Sequence, residues 1–252
     1  CVLMPDEVIA DYDIRSPASR TLLTVLGTLV VFGLLVGAVL GASLLMRDTK
    51  VSTSIIDLGK SAQIVVNATS ADIRVVEGSS DVVKVTSRVT SGIRKTDYQI
   101  GRKGDEIKII SGCQSLISPG CGVSVTLEVP KGLPIVVNTT SGDVSADGIS
   151  QGVLTVSSGS GDLTGSNLGV DEFSAETASG EIDATFADQP FAFKAISDSG
   201  DIAATLPAGK RTYDVRARSK SGDVSTKIPS DAKGAGFVVA TSKSGDIKLR
   251  SQ

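Results

Sequence analysis

The 252-residue sequence contains no histidine and no tryptophan, and its aromatic side chains amount to six Phe and three Tyr. Without histidine, the chain lacks the commonest general base and the commonest neutral metal ligand of proteins. A Ser-His-Asp or Cys-His mechanism is therefore excluded, and a zinc site of the usual His and Cys type is nearly so. The few aromatic rings also leave little material for a platform that stacks on sugars.

An excess of positive charge is absent as well, with 25 Lys and Arg against 28 Asp and Glu. The formal net charge of −3 gives no basic field for nucleic acid. The densest positive stretch is "KRTYDVRARSK" at 210–220, where strand alternation places Arg216 and Arg218 on one face. We interpret this stretch as a solvated edge. The sequence predicts no catalytic residue, no cofactor and no metal ligand, so we expect a protein that is not an enzyme.

Strands and turns are favoured by what the sequence does contain, 27 Gly and many Ser, Thr and Val residues. Runs such as "AQIVVNA", "VVKVTSRV" and "VSVTLEV" alternate apolar and polar residues, which is the period of a half-buried strand. "DYQIGRKGDEIKII" predicts a hairpin that turns at Lys103-Gly104. Beyond residue 46, the predicted fold class is all-β.

One short unit recurs along the second half of the chain. A Ser-Gly-acid turn with a strand on either side begins at residues 141, 160, 179, 199, 221 and 244, with spacings of 19, 19, 20, 22 and 23. A seventh copy, "IVVNATSADIRVV" at 64–76, matches "IVVNTTSGDVSAD" at 135–147 but has Ala71 in place of the glycine. A unit of this length cannot bury a core alone, so copies must stack.

The repeat predicts a β-solenoid, a β-helix-like stack of about six to seven units. A β-sandwich of successive hairpins is the alternative, because two strands around a turn also describe a hairpin. The glycines would allow the bend, and the acids would accept backbone hydrogen bonds within the turns. A column of carboxylates could instead bind calcium, but the nine-residue calcium repeat is absent. The predicted turn residues are Gly142, Asp143, Gly161, Asp162, Gly180, Glu181, Gly200, Asp201, Gly222, Asp223, Gly245 and Asp246.

Residues 21–46 form a run of 26 residues without charge. As a helix, this run would be about 39 Å long, enough to cross a hydrocarbon core of about 30 Å once. A cleaved signal peptide is the competing interpretation, but its apolar region is normally shorter and follows a positive leader. Gly33, Gly37 and Gly41 recur on one face, a spacing that lets a second helix of the same or another protein pack closely.

The cysteines suggest an orientation. Cys113 and Cys121 lie eight residues apart in a Gly- and Pro-bearing loop that could close as a disulfide, whereas Cys1 stands alone. An oxidised pair outside and a lone thiol inside would place the N-terminus in the cytoplasm. A lipid on Cys1 would reverse this orientation. We divide the chain into a cytoplasmic tail (1–20), a transmembrane helix (21–46), a link (47–52) and an external β-repeat domain (53–252), the last with a hairpin and Cys-loop insertion (81–130) and regular repeats (131–252).

Several motifs together resemble a known family. The "T-x-SGD-[VIL]" units, the Cys-x7-Cys loop and "VTLEVPKGLPIVVNTTSGDV" are similar to the bacterial β-strand-repeat "putative adhesin" domain of unknown function, over roughly residues 54–250. The resemblance implies a β-helical protein of the cell envelope, often with a membrane helix. It implies no catalytic residue.

The function predicted from these features is that of a non-catalytic, membrane-anchored binding or scaffold protein of the bacterial plasma membrane. Its external domain would contact an envelope protein or polymer. The alternative is an accessory subunit of a larger integral membrane complex, packed through Gly33, Gly37 and Gly41. The ligand, the oligomeric state and the handedness of the stack stay open.

Overall fold

The computed structural model describes residues 17–45, 48–57, 63–91, 95–103, 106–112 and 121–252. It is nearly all-β, with one helix and nineteen strands among the described residues, which confirms the predicted fold class. The first nine strands are β1 (Asp48–Ile56), β2 (Ile64–Ser70), β3 (Asp72–Glu77), β4 (Val83–Ser91), β5 (Asp97–Lys103), β6 (Glu106–Gly112), β7 (Gly122–Val129), β8 (Ile135–Ser141) and β9 (Val144–Asp147). The others are β10 (Val153–Ser160), β11 (Leu163–Leu168), β12 (Glu172–Ser179), β13 (Ile182–Phe186), β14 (Ala192–Ser199), β15 (Ile202–Leu206), β16 (Tyr213–Ser219), β17 (Val224–Thr226), β18 (Gly236–Ser244) and β19 (Ile247–Ser251).

The helix α1 (Pro17–Leu45) precedes the strands. The predicted single-pass membrane anchor is wrong, since the described part of the chain holds no helix with the length and apolar character needed to cross a bilayer. The cytoplasmic and external sides that we assigned from this anchor are withdrawn with it.

The strands form two sheets. Sheet A has ten strands in the order β1-β4-β7-β3-β9-β11-β13-β15-β19-β17, and sheet B has nine in the order β16-β18-β14-β12-β10-β8-β2-β6-β5. Each Ser-Gly-acid unit places one strand in sheet B, turns, and places the next strand in sheet A. From β8 to β15, successive units are therefore neighbours in both sheets.

Neighbouring units pair in parallel and in register. Ser157 of β10 lies opposite Asn138 of β8 on one side and Glu176 of β12 on the other. The copy at 64–76 joins the same ladder, because Ile64 of β2 pairs with Ile135 of β8. Hairpins would give antiparallel pairs between the two strands of a unit, so the pairing is solenoid-like rather than that of the alternative sandwich.

The last two units do not follow chain order. The C-terminal pair β18 and β19 lies between β14/β15 and β16/β17 in both sheets. The unit formed by β16 and β17 is therefore the end of the stack, and we call it the terminal coil. Its strand β16 is the last strand of sheet B and has β18 as its one neighbouring strand among the described residues.

At the opposite end, the insertion within 81–130 extends the stack with antiparallel strands. β5 pairs antiparallel with β6, as expected of the predicted hairpin, although Gly104 of its turn lies outside the described residues. β4 pairs antiparallel with β7 and with β1. Most of the predicted link at 47–52 is thus the beginning of strand β1 rather than an irregular connection.

The core lies between the two sheets. Along most strands, buried residues alternate with more exposed ones, because successive side chains on a strand point to opposite faces. In β9, for example, Val144 and Ala146 are buried and the residues that follow each of them are more exposed. Val, Ile, Leu and Ala fill most of the stack, and three phenylalanines meet near its middle. Phe173 stacks on Phe193 at 5.7 Å between ring centroids, and Phe186 meets both rings edge-on.

Candidate functional site

The acids of five turns, Asp72, Asp143, Asp162, Asp201 and Asp246, each bind the backbone of the next turn in the stack. A side-chain oxygen of each accepts the backbone N–H of the acid one strand further along, at distances from 2.7 to 3.2 Å. These bonds run from Asp143 N to Asp72, Asp162 N to Asp143, Glu181 N to Asp162, Asp246 N to Asp201 and Asp223 N to Asp246. We call these seven residues the acid column. It holds adjacent turns in register.

A column of glycines runs beside the acids. The six predicted turn glycines have φ between 115° and 154°, a region that residues with a Cβ rarely adopt. Their turns also pack so closely that a Cβ at Gly161, for example, would overlap the carbonyl oxygen of Gly142. The glycines are therefore needed both for the bend and for the close approach of neighbouring coils.

A third column was not predicted from the sequence. Buried hydroxyl groups donate to the glycine carbonyls of the neighbouring turn, as Ser197 does to Gly180 at 3.3 Å and Ser242 to Gly200 at 3.2 Å. The signal was present, because a Ser or Thr recurs two residues before the Ser of every turn. In the described part of the chain, the Oγ of Ser158 is the buried side-chain oxygen that finds no partner.

The hydrogen bonds of the three columns account for the repeated turn residues as contacts between coils. Each bond described above joins one coil to the next and needs no ion. Within the described residues, no group of three or more His, Cys, Asp or Glu side chains is placed to hold a metal ion.

Glu181 offers a direct test of the acid column. It donates its own N–H to Asp162 at 2.8 Å, but no hydrogen bond joins its longer side chain to Asp201 N among the described residues. Glu181→Asp should complete the column and raise the free energy of unfolding by about 0.5–1.5 kcal/mol. Urea unfolding followed by circular dichroism measures the change. Glu172→Asp, at an exposed strand position outside the column, is the matched control and should give no gain.

The remaining predicted residues are not brought to a common site. Gly33, Gly37 and Gly41 have open space where a Cβ would lie, so their role in helix packing stays a prediction. Cys113 lies outside the described residues, and the predicted disulfide between Cys113 and Cys121 also stays a prediction.

The strongest candidate for a binding surface is the outer face of the last three strands of sheet B. The register places Lys194 and Arg216 on either side of Val239, about 10 Å apart at the usual strand spacing. Phe237 on the same face is 50% exposed. We call this surface the basic flank, and it consists of Lys194, Ile196, Arg216, Arg218, Phe237, Val239, Thr241 and Lys243.

The cations of the basic flank differ in how far they are neutralised. Arg216 lies 2.6 Å from Asp214, and the hydrogen bond and charge of that carboxylate raise the pKa of the guanidinium. Lys243 lies 2.6 Å from Asp198. Arg218 and Lys194 have no carboxylate within ion-pair distance in the described part of the chain. Arg218 and Lys194 are therefore available to an external anion, and the centre of the face that carries them is apolar.

Tyr213 anchors the beginning of β16. Its hydroxyl donates to the carbonyl of Pro190 at 3.0 Å, and burial raises the pKa of the phenol. Beside it, the Arg211 guanidinium lies over the ring of Phe191, 3.7 Å from the centroid. These contacts fix the terminal coil to the unit that holds β14. The sequence predicts a solvated edge at residues 210–220. It does not reveal that strands β14 and β18 contribute to the same surface.

Comparison with known proteins adds a family. The family model described as "Toastrack DUF4097" matches residues 61–252. No curated protein is similar enough to match the chain. Among solved structures, a "putative cell adhesion protein" from Clostridium sporogenes has 13% identity and a TM-score of 0.46, with 81% of this chain and 100% of that chain covered. A "putative adhesin" from Bacteroides fragilis has 10% identity and a TM-score of 0.44, with 81% and 97% covered. A "putative lipid binding protein" from Parabacteroides distasonis has 12% identity and a TM-score of 0.33, with the same coverage.

Proposed function

This chain belongs to the DUF4097 family, and we propose that it is a non-catalytic binding and scaffold protein whose repeats form a stiff β-solenoid. Its polar repeat residues bond one coil to the next, as in the acid column between Asp143 and Asp162. Their presence in every copy is therefore explained by the stacking of the coils. The absence of histidine from the sequence removes the commonest general base as well.

The basic flank is the observation that carries the binding role. The chain as a whole has a net charge of −3, yet this one face gathers cations around exposed or half-exposed Phe237, Val239 and Ile196. An apolar centre with a charged surround is typical of a surface that binds a macromolecule. The sign of the charge indicates an anionic partner, attracted by complementarity.

Binding of poly-L-glutamate at low salt tests this proposal. The double variant Arg216→Glu/Arg218→Glu should weaken binding by about tenfold or more, because it reverses two charges at the centre of the surface. Biolayer interferometry with immobilised polymer measures the affinity, and rising salt should weaken the wild-type protein further.

A charge-matched control separates the basic flank from net charge. Lys95→Glu/Lys108→Glu makes the same change at exposed positions near the opposite end of sheet B. We expect its affinity to stay within about threefold of the wild type, as for charges distant from an interface. Equal loss in both double variants would show that only the overall charge matters and would refute the basic flank as a site.

A second candidate function is that of a subunit held in a protein complex by α1. The described apolar side chains of this helix are exposed, Phe32 by 66% and Leu34 by 69%. Gly37→Leu should then release a co-purifying protein, since a large side chain prevents close helix contact. Thr28→Leu, on the face of α1 opposite Gly37, is the control. A protein that purifies alone would remove this candidate.

A further inference from the structure

The terminal strand β16 ends sheet B with one edge open. In a parallel ladder, alternate residues direct both backbone polar groups to the same side. The C=O of Thr212 and the N–H of Lys220 bond β18, to Gly236 N and Ser242 O respectively. The backbone N–H and C=O groups of the even-numbered residues between them, Arg216 and Arg218 included, therefore point toward β18. The backbone N–H and C=O groups of the odd-numbered residues point away from β18.

Contacts on the open side confirm this alternation. The C=O of Tyr213 accepts the N–H of Asp231 at 2.8 Å, and the N–H of Val215 donates to the Oγ of Ser230 at 3.3 Å. Further along the edge, Ala217 and Ser219 have no backbone partner on this side among the described residues. Their N–H and C=O groups are free to pair with another strand.

The chain itself shows that this edge accepts a parallel strand. Ser230 makes an isolated parallel bridge to Tyr213, immediately after Pro229. The segment then turns away at Asp231, whose side chain accepts the N–H of Lys233 and whose carbonyl accepts that of Gly234. One bridge of an additional strand is thus present, and the rest of the edge stays uncovered.

An open groove of about 540 Å³ lies over β16 and its neighbour β18 at this end of sheet B. It is lined by Val215, Ala217 and Val239, with Arg216 and Arg218 on the outer face. Val215 and Ala217 pack partly against the core. The acid column also ends here, because the side chain of Asp223 accepts no backbone N–H from a further coil in the described residues. The acid column is therefore open at this end, as is the edge of β16 at Ala217 and Ser219.

We infer that the open edge of β16 binds an extended acidic segment of a partner protein, added as a further parallel strand of sheet B. Acidic side chains at alternate positions would face Arg216 and Arg218, and small apolar ones would lie beside Val215 and Ala217. This inference rests on the proposed function and names the class of its partner.

A second copy of this chain is a poorer occupant. Two terminal coils related by a two-fold axis would pair β16 with β16 antiparallel around Ala217, with Arg216 opposite Arg218 of the other copy. Like charges directly opposite each other destabilise a strand pair. The other end of the stack carries the antiparallel strands β1 and β5, so it cannot continue the parallel ladder.

The test uses a fluorescent peptide of alternating Glu and Val and the full chain, with affinity measured by anisotropy. Ala217→Pro removes the N–H that faces the open edge and leaves the bonds to β18 in place, a position where a strand tolerates proline. It should weaken binding by about tenfold or more, whereas Ala217→Val, which keeps the N–H, should stay within about threefold. An alternating Lys and Val peptide should not bind.

Backbone methylation of the peptide gives a second test that needs no variant to fold. In a parallel addition, the residues whose side chains share the face of Arg216 direct their N–H groups toward β16. Methylating every Glu nitrogen should therefore abolish binding, and methylating every Val nitrogen should not. The reverse pattern, or no effect of either methylation, would overturn the parallel strand addition.

The outcomes separate this inference from the proposed function. Suppose that Arg216→Glu/Arg218→Glu weakens binding of the peptide and of poly-L-glutamate, whereas Ala217→Pro and peptide methylation leave binding unchanged. The basic flank would then be a binding surface, and the inference of strand addition would be wrong. If the double variant changes nothing, the proposed function falls as well. Concentration-dependent dimerisation of the wild type, lost in Ala217→Pro, would favour a second copy and would also overturn the inference.

Discussion

Gly200→Ala should lower the free energy of unfolding by about 3 kcal/mol or more, or prevent folding altogether. Gly200 has φ of 149°, where an alanine is strained. The added methyl group would also overlap the carbonyl of Gly180 in the neighbouring turn. The turns are stacked on both sides, so neither backbone can move without breaking the bonds of the acid column and the hydroxyl contacts nearby. Guanidinium unfolding monitored by circular dichroism gives the free-energy difference.

Gly122→Ala is the matched control for Gly200. Gly122 begins β7, has no positive φ, and leaves open space where a Cβ would lie. Gly122→Ala should change the free energy of unfolding by no more than about 0.5 kcal/mol, or raise it slightly, because alanine restricts the unfolded chain. Equal losses at the two glycines would mean that the close approach of the turns does not limit the stack.

Phe193→Ala should lower the free energy of unfolding by about 3–5 kcal/mol. The side chain is fully buried, and its ring stacks on Phe173 at 5.7 Å and meets Phe186 edge-on. These rings come from two consecutive coils, so a cavity at Phe193 removes contacts both within sheet B and across to sheet A. Thermal and chemical unfolding of the purified variant measure the loss.

Phe237→Ala supplies the comparison for the same residue type. Phe237 lies next to Phe193's strand in sheet B but is 50% exposed on the outer face. Its replacement should change the free energy of unfolding by less than about 1 kcal/mol. A loss as large as that of Phe193→Ala would contradict the outward placement of Phe237 and with it the basic flank.

The repeated turns were predictable because their chemistry is local. A glycine that needs positive φ and an acid that binds a nearby N–H leave the same short pattern in every copy, as at Gly142 and Asp143. The stacking followed from the inability of one unit to bury its apolar residues. Even the copy with Ala71 was recognisable, and its Asp72 takes part in the acid column.

The order of the last two units could not be read from the sequence. Both carry the same turn and have similar lengths, so nothing local indicates that β18 lies between β14 and β16. Sequence neighbours usually pair, and here they do not. The composition of the basic flank depends on that order, since the inserted strand β18 places Phe237 and Val239 between β14 and β16.

The prediction for the N-terminal region was correct about a helix and wrong about a membrane anchor. An uncharged run favours a helix, and α1 extends from Pro17 to Leu45. Hydropathy alone says nothing about what surrounds such a helix. The exposure of its described side chains is therefore better treated as an open question of partners than as evidence of a bilayer.

The inserted position of β18 and β19 has a consequence for how the protein is made on the ribosome. The earlier coils can dock one after another as they emerge, because each rests on the one before it in the chain. The coil of β16 and β17 has no strand to rest on until residues 236–251 have been synthesised and have paired with β14 and β15. Its completion must therefore wait until translation of this region has ended, so the edge that we propose as the binding site forms last.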